Sequence, residues 1–208
     1  MKSILLGSNG YLGSNLAYYL KENNFNNNNY SFKTFSKYNS NNYNKLDIIK
    51  KKDFHILDPN VDFIFFFAGL TGTIQSFYKY KKFIDVNELG LINLLSWMNE
   101  NNCKARVIFP STRLIYKGND KSSLDEKSEK DVKTIYALNK LHSEKILKIY
   151  SNIFNINYTI FRICVPYGNI YKFNKFYGTV GFFINQAIIS KKISIYGDGL
   201  IRRTFSHT

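Results

Sequence analysis

At 208 residues, with 44% hydrophobic and 21% charged side chains, the chain has the length and apolar content of a domain that builds its own core. Two distant cysteines, Cys103 and Cys164, exclude a disulfide framework; no signal-peptide pattern follows Met1, and "DFIFFFAGL" falls well short of the about 20 residues of a membrane helix. The formal charge of +14 raises nucleic-acid binding, but the lysines are scattered among abundant asparagines, as biased composition and a solvated basic surface would give. The expectation is therefore a cytoplasmic protein with no nucleic acid and no membrane among its partners.

In chain order, "SILLGS" (3–8) reads as a short buried strand and "YLGSNLAYYLKEN" (11–23) as an amphipathic helix. The Asn-rich stretch 23–29 reads as a loop tip, followed by a strand over 30–38 and a short one over 45–48. "VDFIFFFAG" (61–69) is a continuous apolar run, the mark of a strand covered on both faces. A long helix is predicted over 83–101, a strand over 105–112, a helix over 134–151 and a strand over 158–168. A helix over 179–191 and a strand over 193–197 complete the series. Alternation of this kind predicts an α/β fold with a doubly wound, Rossmann-like parallel sheet.

Between the first strand and first helix, Gly7, Gly10 and Gly13 give G-x-x-G-x-x-G. The first glycine suits a tight turn, the second a close approach to a pyrophosphate, the third close helix–strand packing. The helix start at Tyr11 and Leu12 then offers N–H groups to an anion. A glycine triplet is weak alone; strand before and helix after are the context the motif requires. NAD or NADP is the implied cofactor. The position that reads the adenosine ribose is placed at Ser36 and Lys37, where no acid stands and a 2′-phosphate is accommodated. Asp47 is a candidate for the adenine amino group, or a plain surface aspartate.

"YALNK" sets Tyr136 and Lys140 one helical turn apart. A phenol titrates near pH 10, too high for efficient proton transfer at neutral pH, and a neighbouring ammonium lowers it. Such a pair suits oxidation of an alcohol or reduction of a ketone, and Ser111 and Thr112, ending a predicted strand, would supply a hydroxyl to the same substrate oxygen. His55, His142 and His207 are isolated from one another and make no metal site.

Glycine loop, strand-end hydroxyls and Tyr-x-x-x-Lys in this order resemble the extended short-chain dehydrogenases/reductases, specifically the NAD-dependent epimerase/dehydratase family acting on nucleotide sugars. "FFFAGLTG" is similar to the family's fourth-strand segment, which implies that Ala68 and Gly69 pass under the cofactor. "VNELGLINLL" is similar to its Asn-x-x-Gly helix, with Asn87 and Gly90. "FRICVPYGN" matches its Arg-x-x-x-x-Tyr-Gly segment, which implies a place by the nicotinamide for Val165, where an asparagine is more usual. "IYGDGLIRRTF" resembles a Gly-Asp-Gly…Arg-x-Phe motif in which Arg203 meets the substrate diphosphate. The resemblance makes Thr112 the catalytic hydroxyl, Tyr136 the acid/base and Lys140 its partner, with a nucleotide sugar as substrate. It also implies a homodimer through the 83–101 and 134–151 helices.

The family's dehydratases follow the hydroxyl with an Asp-Glu pair; here Arg113 and Leu114 stand there, and neither is a general acid near neutral pH. Elimination is thereby disfavoured, and epimerisation or ketone reduction remains. Arg113 is a candidate for a substrate phosphate or carboxylate, or a partner for an acid in 122–131. Family members run on past the position of Thr208, so the expected division is a dinucleotide-binding domain over 1–169 and an incomplete substrate subdomain over 170–208. A non-catalytic NAD(P)-binding protein, or an inactive remnant, is the rival reading.

Overall fold

The structure, a computed structural model, describes residues 1–32, 43–118, 124–168, 178–190, 192–195, 197–200 and 202–208. They divide into two compact units, Met1–Arg162 and Ile163–Thr208.

In the first unit, β1 (Lys2–Leu6) leads into α1 (Tyr11–Glu22), then β2 (Asn26–Ser31), β3 (Tyr43–Lys45) and, after a 3₁₀ turn at Lys51–Ile56, β4 (Phe63–Phe66). Helices α2 (Thr73–Tyr78) and α3 (Tyr80–Ile84) and a π-helical turn (Asp85–Leu89) then enter α4 (Gly90–Glu100). Strand β5 (Arg106–Thr112), a 3₁₀ turn (Arg113–Ile115), α5 (Ile135–Phe154) and β6 (Tyr158–Ile163) follow. The sheet order is β3-β2-β1-β4-β5-β6. Pairings β1–β2, β1–β4, β2–β3 and β4–β5 are all parallel, as a doubly wound sheet requires. Strands covered on both faces bury their side chains: Ile4, Leu5, Leu6, Ile64 and Phe66 are inaccessible, and all but Leu5 share a core with Leu91, Leu94, Leu95, Val107 and Phe109.

Several elements depart from the sequence reading. The asparagines expected at a loop tip form β2, registered along β1 from Lys2↔Asn26 to Leu6↔Tyr30. Asparagine has little β propensity, and tertiary pairing overrides it here. Side chains help, since Ser3 donates to Asn27 Oδ1 (2.9 Å) and Asn27 Nδ2 to Asn29 Oδ1 (2.8 Å). The strand thus ends at Ser31, and Ser36 and Lys37 lie outside the described residues. The helix expected over 83–101 is interrupted by the π turn, and the helical residues 73–82 before it were not anticipated.

In the second unit, β7 (Val165–Tyr167) and β8 (Phe205–His207) pair in parallel, with α6 (Gly178–Ser190) packed on β7. The strand expected over 158–168 is therefore two, in different sheets. The strand expected over 193–197 is absent from its described residues: Ile193 and Ile195 are exposed, and β branching alone supplies no ladder partner. No helix among the described residues is long and apolar enough to cross a membrane.

Candidate functional site

The glycine loop is built from backbone. Gly7 N (2.9 Å) and Ser8 N (3.2 Å) both donate to Tyr30 O at the end of β2, and Gly10 N donates to Gly7 O (3.0 Å). Gly7 has φ +92°, and a Cβ there would lie 2.4 Å from Ala68 N; one at Gly13 would lie 2.1 Å from Gly7 O. Any side chain at either position would collide with backbone, so loop, β4 end and α1 pack as only glycine permits. Helix α1 begins after Gly10 with no side-chain cap and no acid in its first turn. Its N-terminal N–H groups and the positive end of its dipole are suited to an anion. Ala68 and Gly69 follow β4 beside this loop. The residues present thus fit the pyrophosphate end of a dinucleotide: Gly7, Gly10, Tyr11, Leu12 and Gly13 would hold it.

The second part gathers around Lys140. Thr134 caps α5, its Oγ1 accepting from Ala137 N (3.1 Å), which sets Tyr136 in the first turn and Lys140 one turn later. Lys140 is 5% exposed; its Nζ donates to Pro110 O (2.8 Å) and lies 4.5 Å from the centre of the Phe109 ring. The register of β4 with β5 ends at Ile108, so Pro110 costs no bond to β4. Two residues on, Thr112 is buried and its Oγ1 accepts from Leu114 N (3.2 Å), a bond that leaves the hydroxyl proton to donate elsewhere. A Cβ at Gly69 would stand 3.7 Å from Lys140 Nζ and 3.1 Å from Asn87 Oδ1, so Gly69, Asn87 and Lys140 share one corner. Strand end, helix α5 and the β4 loop meet there.

Burial pushes the Lys140 ammonium down to about 8, partly opposed by the carboxylate of Glu144. In the unfolded chain the same amine titrates near 10.5, so between about pH 8 and 10.5 the unfolded state binds the extra proton and stability rises with pH. Below pH 8 the cost of burying the charge is fully present. The gain is about 3 kcal/mol across the window. A Lys140→Met variant should lack it: urea midpoints from pH 7 to 10 should show wild type gaining on the variant, and parallel curves would contradict the assignment.

Other candidates are placed as follows. Asn87 uses its amide on backbone, accepting from Leu70 N (2.8 Å) and donating to Leu70 O (3.1 Å), so it braces the loop after β4. Asp47 lies beyond β3, mostly buried, its Oδ1 accepting from Ile49 N (3.3 Å) and its Oδ2 3.8 Å from Lys50. Ser111 donates to Glu144 Oε1 (2.5 Å), a bond that occupies the proton the sequence reading offered to substrate. Arg113 is half-buried in the turn after Thr112. Val165 and Arg203 belong to the second unit, where Val165 N donates to Thr204 O (3.2 Å) and Arg203 is exposed. His142 lies 3.4 Å from Glu88. Two residues of this corner carried no role in the sequence reading: Glu144, one turn past Lys140, and Arg162, the arginine of "FRICVPYGN".

The model of the NAD dependent epimerase/dehydratase family matches residues 3–208. The chain is 26% identical over 198 residues to a UDP-glucose 4-epimerase of Mycoplasma genitalium, covering 88% of this chain and 58% of that protein. It is 28% identical over 167 residues to a UDP-N-acetyl-alpha-D-glucosaminuronate decarboxylase of Bacillus cytotoxicus, covering 78% of this chain and 51% of the relative. It thus spans little more than half the length of these relatives. A solved UDP-glucose 4-epimerase of Thermotoga maritima with UDP-glucose superimposes with a TM-score of 0.85 at 20% identity, over 100% of this chain and 69% of that one. With sheet order, glycine loop and the Lys140 corner in place, the match from end to end shows that the chain belongs to the NAD-dependent epimerase/dehydratase family.

Proposed function

We propose that the chain is an NAD-dependent nucleotide-sugar epimerase that works through Thr112, Tyr136 and Lys140. The observation that carries this reading is the bond from Lys140 Nζ to Pro110 O, which ties the Tyr136 helix to the strand end bearing Thr112. When bound, the nicotinamide supplies hydride exchange at a sugar carbon. Tyr136 takes the proton of the sugar hydroxyl as the carbon is oxidised and returns it on reduction, with the Lys140 ammonium stabilising its phenolate. Thr112 donates to the same oxygen and fixes its position. In epimerisation Tyr136 would take the proton and give it back to the same oxygen; ketone reduction is the same proton traffic run one way. Arg113 and Leu114 offer no acid for eliminating water. Asp47 would meet the adenine end, Val165 the nicotinamide end, and Arg203, with Arg113, the substrate's anionic groups.

A second copy is the proposed partner. Apolar side chains of α2, α3 and α5 stay exposed, among them Ile74, Tyr78, Tyr80, Ile149 and Ile153, and both short helices pack on α5. Of the expected 83–101 surface, α4 turns Leu91, Leu94, Leu95, Trp97 and Met98 into the core, while Ile84 and Leu89 stay exposed.

The test is a thermal melt with NADH and NADPH, then incubation with NAD and UDP-glucose and chromatography for UDP-galactose, with light scattering for mass. A ligand at a hundredfold excess over its dissociation constant adds about 2.7 kcal/mol. The larger rise is expected with NADH; a larger one with NADPH turns the reading to a reductase, and a rise with neither overturns it.

A further inference from the structure

Near Thr112 lies a largely buried ion pair, Glu144 with the partly exposed Arg162, that the proposed chemistry does not use. Glu144, 7% exposed, accepts from Arg162 twice, Nε to Oε1 at 3.0 Å and Nη2 to Oε2 at 2.7 Å, and takes the Ser111 hydroxyl on Oε1. Arg162 Nη1 also donates to Tyr116 Oη (2.6 Å) and to Glu126 O (3.1 Å), and the guanidinium sits 5.1 Å from the centre of the Tyr116 ring. The fork-to-fork geometry holds the Arg162 cation firmly protonated, chiefly through its bonds to Glu144.

Four segments converge on this pair. Ser111 is the residue before Thr112 on β5. Glu144 is one turn past Lys140 and two past Tyr136 on α5. Arg162 is near the end of β6, and Tyr116 follows the 3₁₀ turn that Thr112 caps. Replacing a buried ion pair by packed apolar groups is often neutral or stabilising, so stability alone is a weak account of its presence. What it supplies here is a directional link between the strand end and the helix. Apolar contact would let the two slide, whereas two charge-assisted bonds and one hydroxyl bond fix a register. It also places a carboxylate within a turn of the buried Lys140 ammonium, with its field partly cancelled by Arg162.

We propose that Glu144 and Arg162 are positioning residues for the reaction, acting through Ser111 on Thr112 and through their charge balance on Lys140. The inference rests on the reading of Thr112, Tyr136 and Lys140 given above. Loss of the carboxylate removes the charge that holds the Lys140 midpoint up against burial, so the midpoint falls.

Glu144→Gln is close to isosteric and keeps an acceptor for Ser111, and Arg162→Lys keeps a cation without the fork. The decisive measurement is the titration of Lys140 by NMR of protein carrying ¹³C at lysine Cε, the resonance assigned by its loss in Lys140→Met. It needs neither cofactor nor turnover. In Glu144→Gln the midpoint should move down; in Arg162→Lys it should stay nearer wild type. With NAD and UDP-glucose, kcat of Glu144→Gln should fall roughly ten- to a hundredfold while KM changes little, as for a misplaced reacting group. A Lys140 midpoint that stays put in Glu144→Gln overturns the proposal. Turnover that survives in Tyr136→Phe overturns instead the reading on which it rests, and the titration separates the two failures.

Discussion

Tyr136→Phe should remove turnover of UDP-glucose almost completely while leaving the thermal shift with NADH intact. Only the phenolic oxygen is lost, and with it the group proposed to carry the proton. Positioned acid–base catalysis contributes roughly 10²–10⁴-fold, or about 3 to 5 kcal/mol of barrier. Tyr136 stands in the first turn of α5, whose cap comes from the Thr134 hydroxyl, so the helix start does not depend on the phenol oxygen. The proposed nucleotide site is the loop at Gly7–Gly13, on a different segment. A variant that keeps the NADH shift and loses turnover would separate binding from chemistry. One that keeps both would remove Tyr136 from the mechanism.

Gly7→Ala should be strongly destabilising, because close approach and backbone angle both oppose a side chain there. Its Cβ would meet Ala68 N at 2.4 Å and the Phe67 carbonyl carbon at 2.6 Å, and φ is +92°. Neither obstacle is the flexible end of a side chain; relief requires moving the end of β4 or the turn itself. Overpacking costs about 1–3 kcal/mol and left-handed backbone about 1–2 kcal/mol for a residue with a Cβ. A loss of about 3 kcal/mol lowers the melting midpoint by roughly 6–12 °C in a chain of this size. Gly118→Ala is the control, with φ +76° and nothing within 4 Å of its Cβ; it should cost about 1 kcal/mol. Equal losses at the two sites would mean that backbone angle, not close approach, is what Gly7 supplies.

What the sequence made legible was local and periodic. Continuous apolar runs at 3–8, 61–69 and 105–112 correspond to β1, β4 and β5 because central parallel strands are buried on both faces. The 134–151 helix was readable from its leucine and isoleucine spacing, and the glycine loop from its flanking strand and helix. Residues whose structure is imposed from outside were harder. Asn26–Tyr30 has the composition of a turn and becomes a strand only because β1 offers it a ladder. The strand was accordingly expected over 30–38, later than it stands, and the ribose position placed from it, Ser36 and Lys37, lies outside the described residues. Long-range side-chain pairing was hidden for the same reason. Ser111 and Glu144 are 33 residues apart, and Glu144 and Arg162 are 18 apart; nothing in their spacing announces the contact. A hydroxyl next to Thr112 looked like a substrate contact because only the fold shows which of two adjacent hydroxyls has a buried carboxylate waiting for it.

The π turn at Asp85–Leu89 amounts to one residue more than a straight helix would need. Excising any one residue there would let α3 and α4 fuse into an unbroken helix, gaining regularity. It would also rotate everything on one side by about 100° relative to the other. Asn87 faces Leu70 with both ends of its amide, and Ser143 Oγ donates to its carbonyl oxygen (3.0 Å). Both arrangements would be lost in that single step. Reading-frame-preserving deletions in this segment are therefore set against the β4 loop and α5 together, whereas substitutions at its solvent-facing positions are not. The irregularity works as an indexing device, fixing the rotational phase at which one helix presents a single amide to the loop beside Lys140.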